Sequence, residues 1–132
     1  MLTDPISDLI IRLKNGSAAK KDAVSFPYSK FAENVAHALK KAGYVEAVEK
    51  KGKDVVGRTL EIKLSYVDGM GARIHGAERI SKPSRRVYQK AADIRTYRSG
   101  YGNVFFSTPK GVLADSEAKK IKVGGEALFK IW

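Results

Sequence analysis

Gly102-Asn103-Val104-Phe105-Phe106-Ser107-Thr108-Pro109-Lys110-Gly111-Val112-Leu113-Ala114-Asp115 is the stretch on which the fold turns. An apolar strand runs into a polar loop, Ser107 to Gly111, and Val112 to Ala114 is expected to return as a short strand. Asp115 is then expected to cap a brief helix through Lys120, with Gly124 ending it. Gly124-Gly125-Glu126 leads into a last strand, Glu126 to Trp132, in which Ala127, Phe129 and Ile131 alternate with Leu128, Lys130 and Trp132. This half is therefore read as mostly antiparallel β with a short helix.

Upstream, Arg73 to Ile80 and Arg85 to Tyr88 are strand candidates on either side of Ser81-Lys82-Pro83-Ser84, and Ala91 to Arg95 can make one helical turn. Val67-Asp68-Gly69-Met70-Gly71 is the best boundary, because two glycines and an aspartate punctuate a change of pattern. The expected subdomains are thus 1–66 and 67–132. In the first, Asp4-Pro5 starts a helix: the carboxylate accepts from an orphan amide, and proline gives up an N–H that had no partner. Ile6, Leu9, Ile10 and Leu13 stack on one face of that helix, and Gly16 is expected to end it. Val24 to Phe26 is a short strand closing at Pro27. Ser29 caps a second helix with Phe31, Val35, Leu39 and Ala42 as its apolar stripe and Gly43 as its end. Tyr44 to Val48 and Arg58 to Tyr66 follow as strands around a charged turn, Glu49 to Asp54, with Leu60, Ile62, Leu64 and Tyr66 on the buried face. The order is α-β-α-β-β, and the fold class is α+β in two small subdomains.

The chain has 132 residues and 43% apolar composition, enough for a modest core. With 25 Lys and Arg against 14 Asp and Glu it carries +11, which favours a polyanionic partner. No apolar run approaches the roughly 18 residues of a spanning helix, so no membrane partner is expected. Without cysteine there is no disulfide, thiolate or Cys-based zinc chemistry. His37 and His75 have no metal-type spacing, so neither a metal nor a cofactor is expected. The N-terminus lacks the basic and apolar regions of a signal peptide, which reads as cytoplasmic.

The basic excess is uneven, +4 over residues 1–66 and +7 over 67–132. Between Arg79 and Arg98 seven basic residues meet the single acid Asp93, with Tyr88 and Tyr97 among them. Cations neutralise phosphates and aromatic faces stack on unpaired bases, so Arg85, Arg86 and Tyr88 suit nucleic acid; the plainer alternative is a basic surface with tyrosines half in the core. Ser107 and Lys110 also fit S-x-x-K, but that chemistry needs both residues on a helix facing one cleft, and Pro109 after an apolar run argues against it. With no set of nucleophile, base and orienter, no enzyme is expected. As a binding loop the residues fit better: Ser107 and Thr108 can donate and accept, Lys110 can reach a phosphate, and Gly111, Gly124 and Gly125 let backbone approach closely. Glu126 can accept from base amino groups, orient the loop, or be a surface charge at a strand start.

Asp4-Pro5-Ile6-Ser7-Asp8-Leu9-Ile10 with Arg12-Leu13-Lys14-Asn15-Gly16, and Ser107 to Asp115 with Val123-Gly124-Gly125-Glu126, resemble the opening helix and the signature of the small ribosomal subunit protein eight family in its bacterial form. The resemblance covers essentially the whole chain. It implies a structural constituent of the small ribosomal subunit that binds ribosomal RNA directly and helps organise assembly of the central domain. It also implies neighbouring small-subunit proteins as partners, repression of its own operon's messenger in many members, and a monomer when free. Carried over by position, the primary RNA site is Ser107, Thr108, Lys110, Gly124, Gly125, Glu126 and Tyr88. Thr3, Asp4, Arg12, Lys14, Asn15, Ser29 and Lys30 are similar to a second RNA-facing surface. One departure is Pro109, where the commoner signature has a second serine, so that a hydroxyl and an amide are missing from the turn.

Overall fold

The structure, a computed structural model, describes residues 4–52, 57–67, 71–95 and 102–132. Helix α1 (Pro5–Ala18) starts where the sequence requires: Ser7 N–H donates to Asp4 Oδ1 at 3.3 Å. It does not stop at Gly16 but runs two residues further, and Lys20 takes the left-handed conformation after it, with φ +58°. Gly16 serves packing instead. A Cβ there would lie 2.6 Å from Val24 Cγ1, so its absence lets strand β1 (Ala23–Pro27) close onto the helix. Ile6, Leu9, Ile10 and Leu13 are all buried, as their spacing demands.

The chain divides into two compact units, one formed by Ile11–His75 and the other by residues up to Ile10 together with Gly76–Trp132. In the first, helix α2 (Lys30–Lys41) is capped by Ser29, whose hydroxyl accepts from Ala32 N–H at 3.1 Å. Its C-terminus is a Schellman turn. Gly43, at φ +89°, donates to Lys40 O and Tyr44 donates to Leu39 O, with Tyr44 and Leu39 both buried. The buried stripe is Ala32, Val35, Ala36 and Leu39, so the expected anchor Phe31 falls one position off and stays 39% exposed. Strands β2 (Val45–Lys51) and β3 (Thr59–Leu64) complete an antiparallel sheet of order β1-β3-β2. Glu49, Lys50 and Lys51 belong to β2 and not to a turn. Tyr66 leaves the expected face: it starts β4 (Tyr66–Val67), which pairs with β5 (Gly71–Ala72), and its hydroxyl donates to Lys21 O.

In the second unit the expected strand from Arg73 to Ile80 is only β6 (Ala77–Arg79), and β7 is only Tyr88–Gln89, followed by a 3-10 turn at Ala91–Asp93. Strands β8 (Asn103–Thr108) and β9 (Gly111–Ala114) form a hairpin, helix α3 (Asp115–Ile121) follows, and β10 (Gly125–Ile131) returns through the sheet. Asp115 is the first residue of α3 and not its cap. Its buried carboxylate accepts from Ser116 N–H and from Asn103 Nδ2, each at 2.8 Å. The helix ends on Lys122 at φ +59°, so Gly124 is again freed from the role of terminator. The sheet order is β6-β10-β8-β9 with β7 also on β10, all antiparallel. One face packs Phe106, Leu113 and Ala127 with Ala118 and Ile94, while Phe105 and Phe129 stack at 5.3 Å between ring centres.

Candidate nucleic-acid interface

The stretch expected as a polar loop is mostly strand. Ser107 and Thr108 are the last residues of β8, and only Pro109-Lys110 turn the chain before Gly111 pairs back with Thr108. Chemistry explains the tightness. Proline supplies the φ a first turn residue needs, Thr108 Oγ1 accepts from Lys110 N–H at 3.1 Å and donates to Gly111 O at 2.7 Å, and Gly111 adopts φ +107°. Thr108 therefore spends its hydroxyl closing the hairpin, Lys110 stands exposed at the tip, and Ser107 is carried on a strand.

Register brings distant residues together. Glu126 on β10 pairs with Ser107 on one side and Tyr88 on the other, and directly opposed antiparallel residues point to the same face. Tyr88, Glu126 and Ser107 thus form one row across three strands, with Tyr88 69% exposed. The approach depends on two glycines. A Cβ on Gly125 would lie 2.1 Å from Ser107 O, and one on Gly124 would lie 2.4 Å from Gln89 O. These are backbone atoms on both sides of β10, so the two glycines let three strands close up where the row sits.

One oxygen of the Glu126 carboxylate takes two donors. Ser81 Oγ donates to Glu126 Oε2 at 2.5 Å and Arg86 Nη1 to the same oxygen at 3.0 Å. Burial pushes its carboxyl up, but the bonds from Ser81 and Arg86 and the charges of Arg86 and Arg79 outweigh this and hold the pKa below its ordinary value. Arg85 lies across a turn from Lys82, the two sharing backbone bonds at 2.9 Å around Pro83-Ser84. Ser81 and Arg79 are functional candidates the sequence did not signal. Ser81 looks like loop, yet it is 0% exposed; Arg79 looks like one cation in a basic run, yet its side chain is 6% exposed and its Nε meets Asp4 Oδ2 at 3.1 Å.

Asp4 is consequently committed to Arg79 and to the α1 N-terminus. Burial raises its pKa, while the bond from Arg79, the Ser7 amide and the Arg79 charge together lower it. In the first unit, Arg12 donates to Ser25 O at 2.8 Å and lies 5.3 Å from the Phe26 ring centre. Lys14 and Asn15 are exposed beside it on α1. Ser29 caps α2, and Lys30 is an exposed partner of Glu33 at 3.5 Å. Thr3, Tyr97 and Arg98 lie outside the described residues.

A model of the family described as Ribosomal protein S8 matches residues 4–132. Curated relatives span the same length. A protein of Persephonella marina is 44% identical over all of both chains, and proteins of Salinispora arenicola and Erythrobacter litoralis are 40% and 42% identical over 99% of this chain and 98% of theirs. All three are named small ribosomal subunit protein uS8.

Proposed function

Because the chain belongs to the ribosomal protein S8 family, we propose that it binds small-subunit ribosomal RNA directly through the row Tyr88, Glu126 and Ser107 and the cations around it. The family is structural and not enzymatic, and the protein is a constituent of the small ribosomal subunit, acting in the cytoplasm. The observation that carries the RNA reading is that row: an exposed tyrosine, an acidic group already neutralised by Arg86, and a strand serine on one sheet face, with Lys110 at the hairpin tip.

The mechanism is recognition of an irregular helix from its wide, shallow side. Tyr88 supplies a stacking face for an unpaired base, Ser107 a hydroxyl for a base edge or ribose, and Lys110, Arg85 and Arg86 the salt-sensitive affinity. Gly124 and Gly125 keep this surface low enough for close backbone approach. Arg12, Lys14, Asn15 and Lys30, each exposed in the first unit, supply further groups for phosphates. With Thr108 committed to the turn and Pro109 lacking a hydroxyl, Ser107 carries the direct readout alone.

Ser107→Ala should weaken binding of purified small-subunit ribosomal RNA by about 1–3 kcal/mol, the worth of a good direct-readout contact. Arg85→Ala should instead reduce the slope of log affinity against log salt by about 1. Unchanged affinity of Ser107→Ala in a filter-binding titration would remove the site assignment. The same surface would hold a messenger whose fold copies the ribosomal target. Competition by the protein's own operon transcript, and association with neighbouring ribosomal proteins by a chain monomeric when free, extend the proposal.

A further inference from the structure

Strand β10 is bulged between Ala127 and Phe129, and its two halves are paired on one edge by different strands, Phe129–Ile131 with β6 and Gly125–Glu126 with β7. Between those strands the chain leaves the sheet for residues 81 to 87. At the bulge Leu128 O accepts from Ile80 N–H at 3.0 Å, from Ser81 N–H at 3.4 Å and from Arg79 Nη1. The chain rejoins the sheet where Ala127 N–H donates to Val87 O at 2.8 Å. The excursion carries three cations, Lys82, Arg85 and Arg86, against no acid.

One side chain closes its neck. Ser81 Oγ accepts from Val87 N–H at 3.1 Å and donates to Glu126 Oε2 at 2.5 Å, and it is 0% exposed. We infer that Ser81, which is buried, and Glu126, which is partly so, form a clasp that holds the basic excursion 82–86 in place beside Tyr88, so that Glu126 serves as a positioning residue and not as a reader of bases. A buried hydroxyl has both its roles filled here. Removing it leaves Val87 N–H without its side-chain acceptor and the carboxylate with Arg86 alone, at the point where the excursion is anchored. The same carboxylate oxygen holds Arg86, so one group sets both the neck and one of the cations.

The part of this inference that concerns RNA rests on the proposed function; the clasp itself does not. Amide hydrogen exchange of Val87 in the free protein should speed up roughly tenfold in Ser81→Ala, the equivalent of about 1.4 kcal/mol, and several-fold in Glu126→Ala. Both variants should bind purified small-subunit ribosomal RNA roughly tenfold more weakly and with a shallower salt slope, because displaced cations neutralise fewer phosphates. The double variant should bind no more weakly than the worse single one, since both break one unit. Weaker binding in Glu126→Ala with the wild-type salt slope and unaltered Val87 exchange would overturn the clasp in favour of base reading. Unchanged affinity in Ser81→Ala would overturn the clasp's part in RNA binding, and unaltered Val87 exchange there would overturn the clasp itself. Should Ser81→Ala not fold, Glu126→Ala decides by the same two readouts. A wild-type protein that fails to hold the RNA would sink the functional proposal while leaving Val87 exchange to decide the clasp.

Discussion

The α1 surface and the C-terminal sheet surface hold their polar groups together by opposite means. Arg12 and Asn15 are neighbours because they lie three residues apart on one helix, which sets their spacing, with Lys14 exposed on the same turn. Ser81, Tyr88, Ser107 and Glu126 span 46 positions and meet only because strands align. A local surface tolerates changes beneath it, whereas a sheet surface depends on how closely backbones can approach. The two glycine contacts state the contrast directly: at Gly16 a Cβ would meet side-chain atoms of Val24 and Leu64, but at Gly125 it would meet the carbonyl of Ser107.

That contrast is broken most severely by Gly125→Ala. The β8 backbone must move, so a loss of about 3 kcal/mol or more in unfolding free energy is expected, at the top of the overpacking range. Denaturant titration reads it, and a loss under about 1 kcal/mol would mean the strands have room to spare. Next is Asp4→Ala, which strips the partner from a nearly buried Arg79 and the cap from α1, for about 2–3 kcal/mol. Asp4 and Glu126 also set an acid limit. Their pKa values are lowered in the folded state, so the stability they contribute is present above the unfolded carboxylate range. It is lost as pH falls from about 5 toward 3 and they must take up protons. Asp4→Ala should flatten that acid limb in thermal melts at stepped pH.

Gly16→Ala should cost less, about 1 kcal/mol, because the clash falls on side chains and alanine's better helix propensity, about 1 kcal/mol, offsets roughly half of an overpacking loss of about 2 kcal/mol. A cost equal to that of Gly125→Ala would erase the distinction between the two regions. The smallest effect has the opposite sign. Ser17 lies in α1 at 2% exposure and its hydroxyl has no partner among the described residues, so Ser17→Ala should stabilise by about 0.5–1 kcal/mol.

Much of this molecule was legible beforehand. The Asp4-Pro5 start, the Ser29 cap, the Gly43 end, the alternation in β3 and the β8–β9 return follow from local rules: a cap needs an oxygen one turn from an amide, and a buried face needs a period. Errors fell where two local rules competed. Gly16 and Gly124 read as helix ends because glycine favours the left-handed conformation, yet Lys20 and Lys122 adopt it and the glycines serve close packing. Phe31 read as core because aromatics favour burial, but the face was already filled by Ala32, Val35, Ala36 and Leu39. Ser107 and Thr108 read as loop because polar residues before proline suggest one, whereas a two-residue turn needs no more chain than Pro109-Lys110.

By itself, then, the sequence determined the three helices, the main strands of each half, the basic surplus and the family, but not the β4–β5 pair, since charge, caps and periodicity act over a few residues. Only the tertiary structure decided that Glu126 stands between Ser107 and Tyr88, that Ser81 closes the neck of a basic excursion, and that Asp4 is held by Arg79. Register, a bulge and the absence of two Cβ atoms place those groups together, and each is a contact between segments that nothing along the chain records.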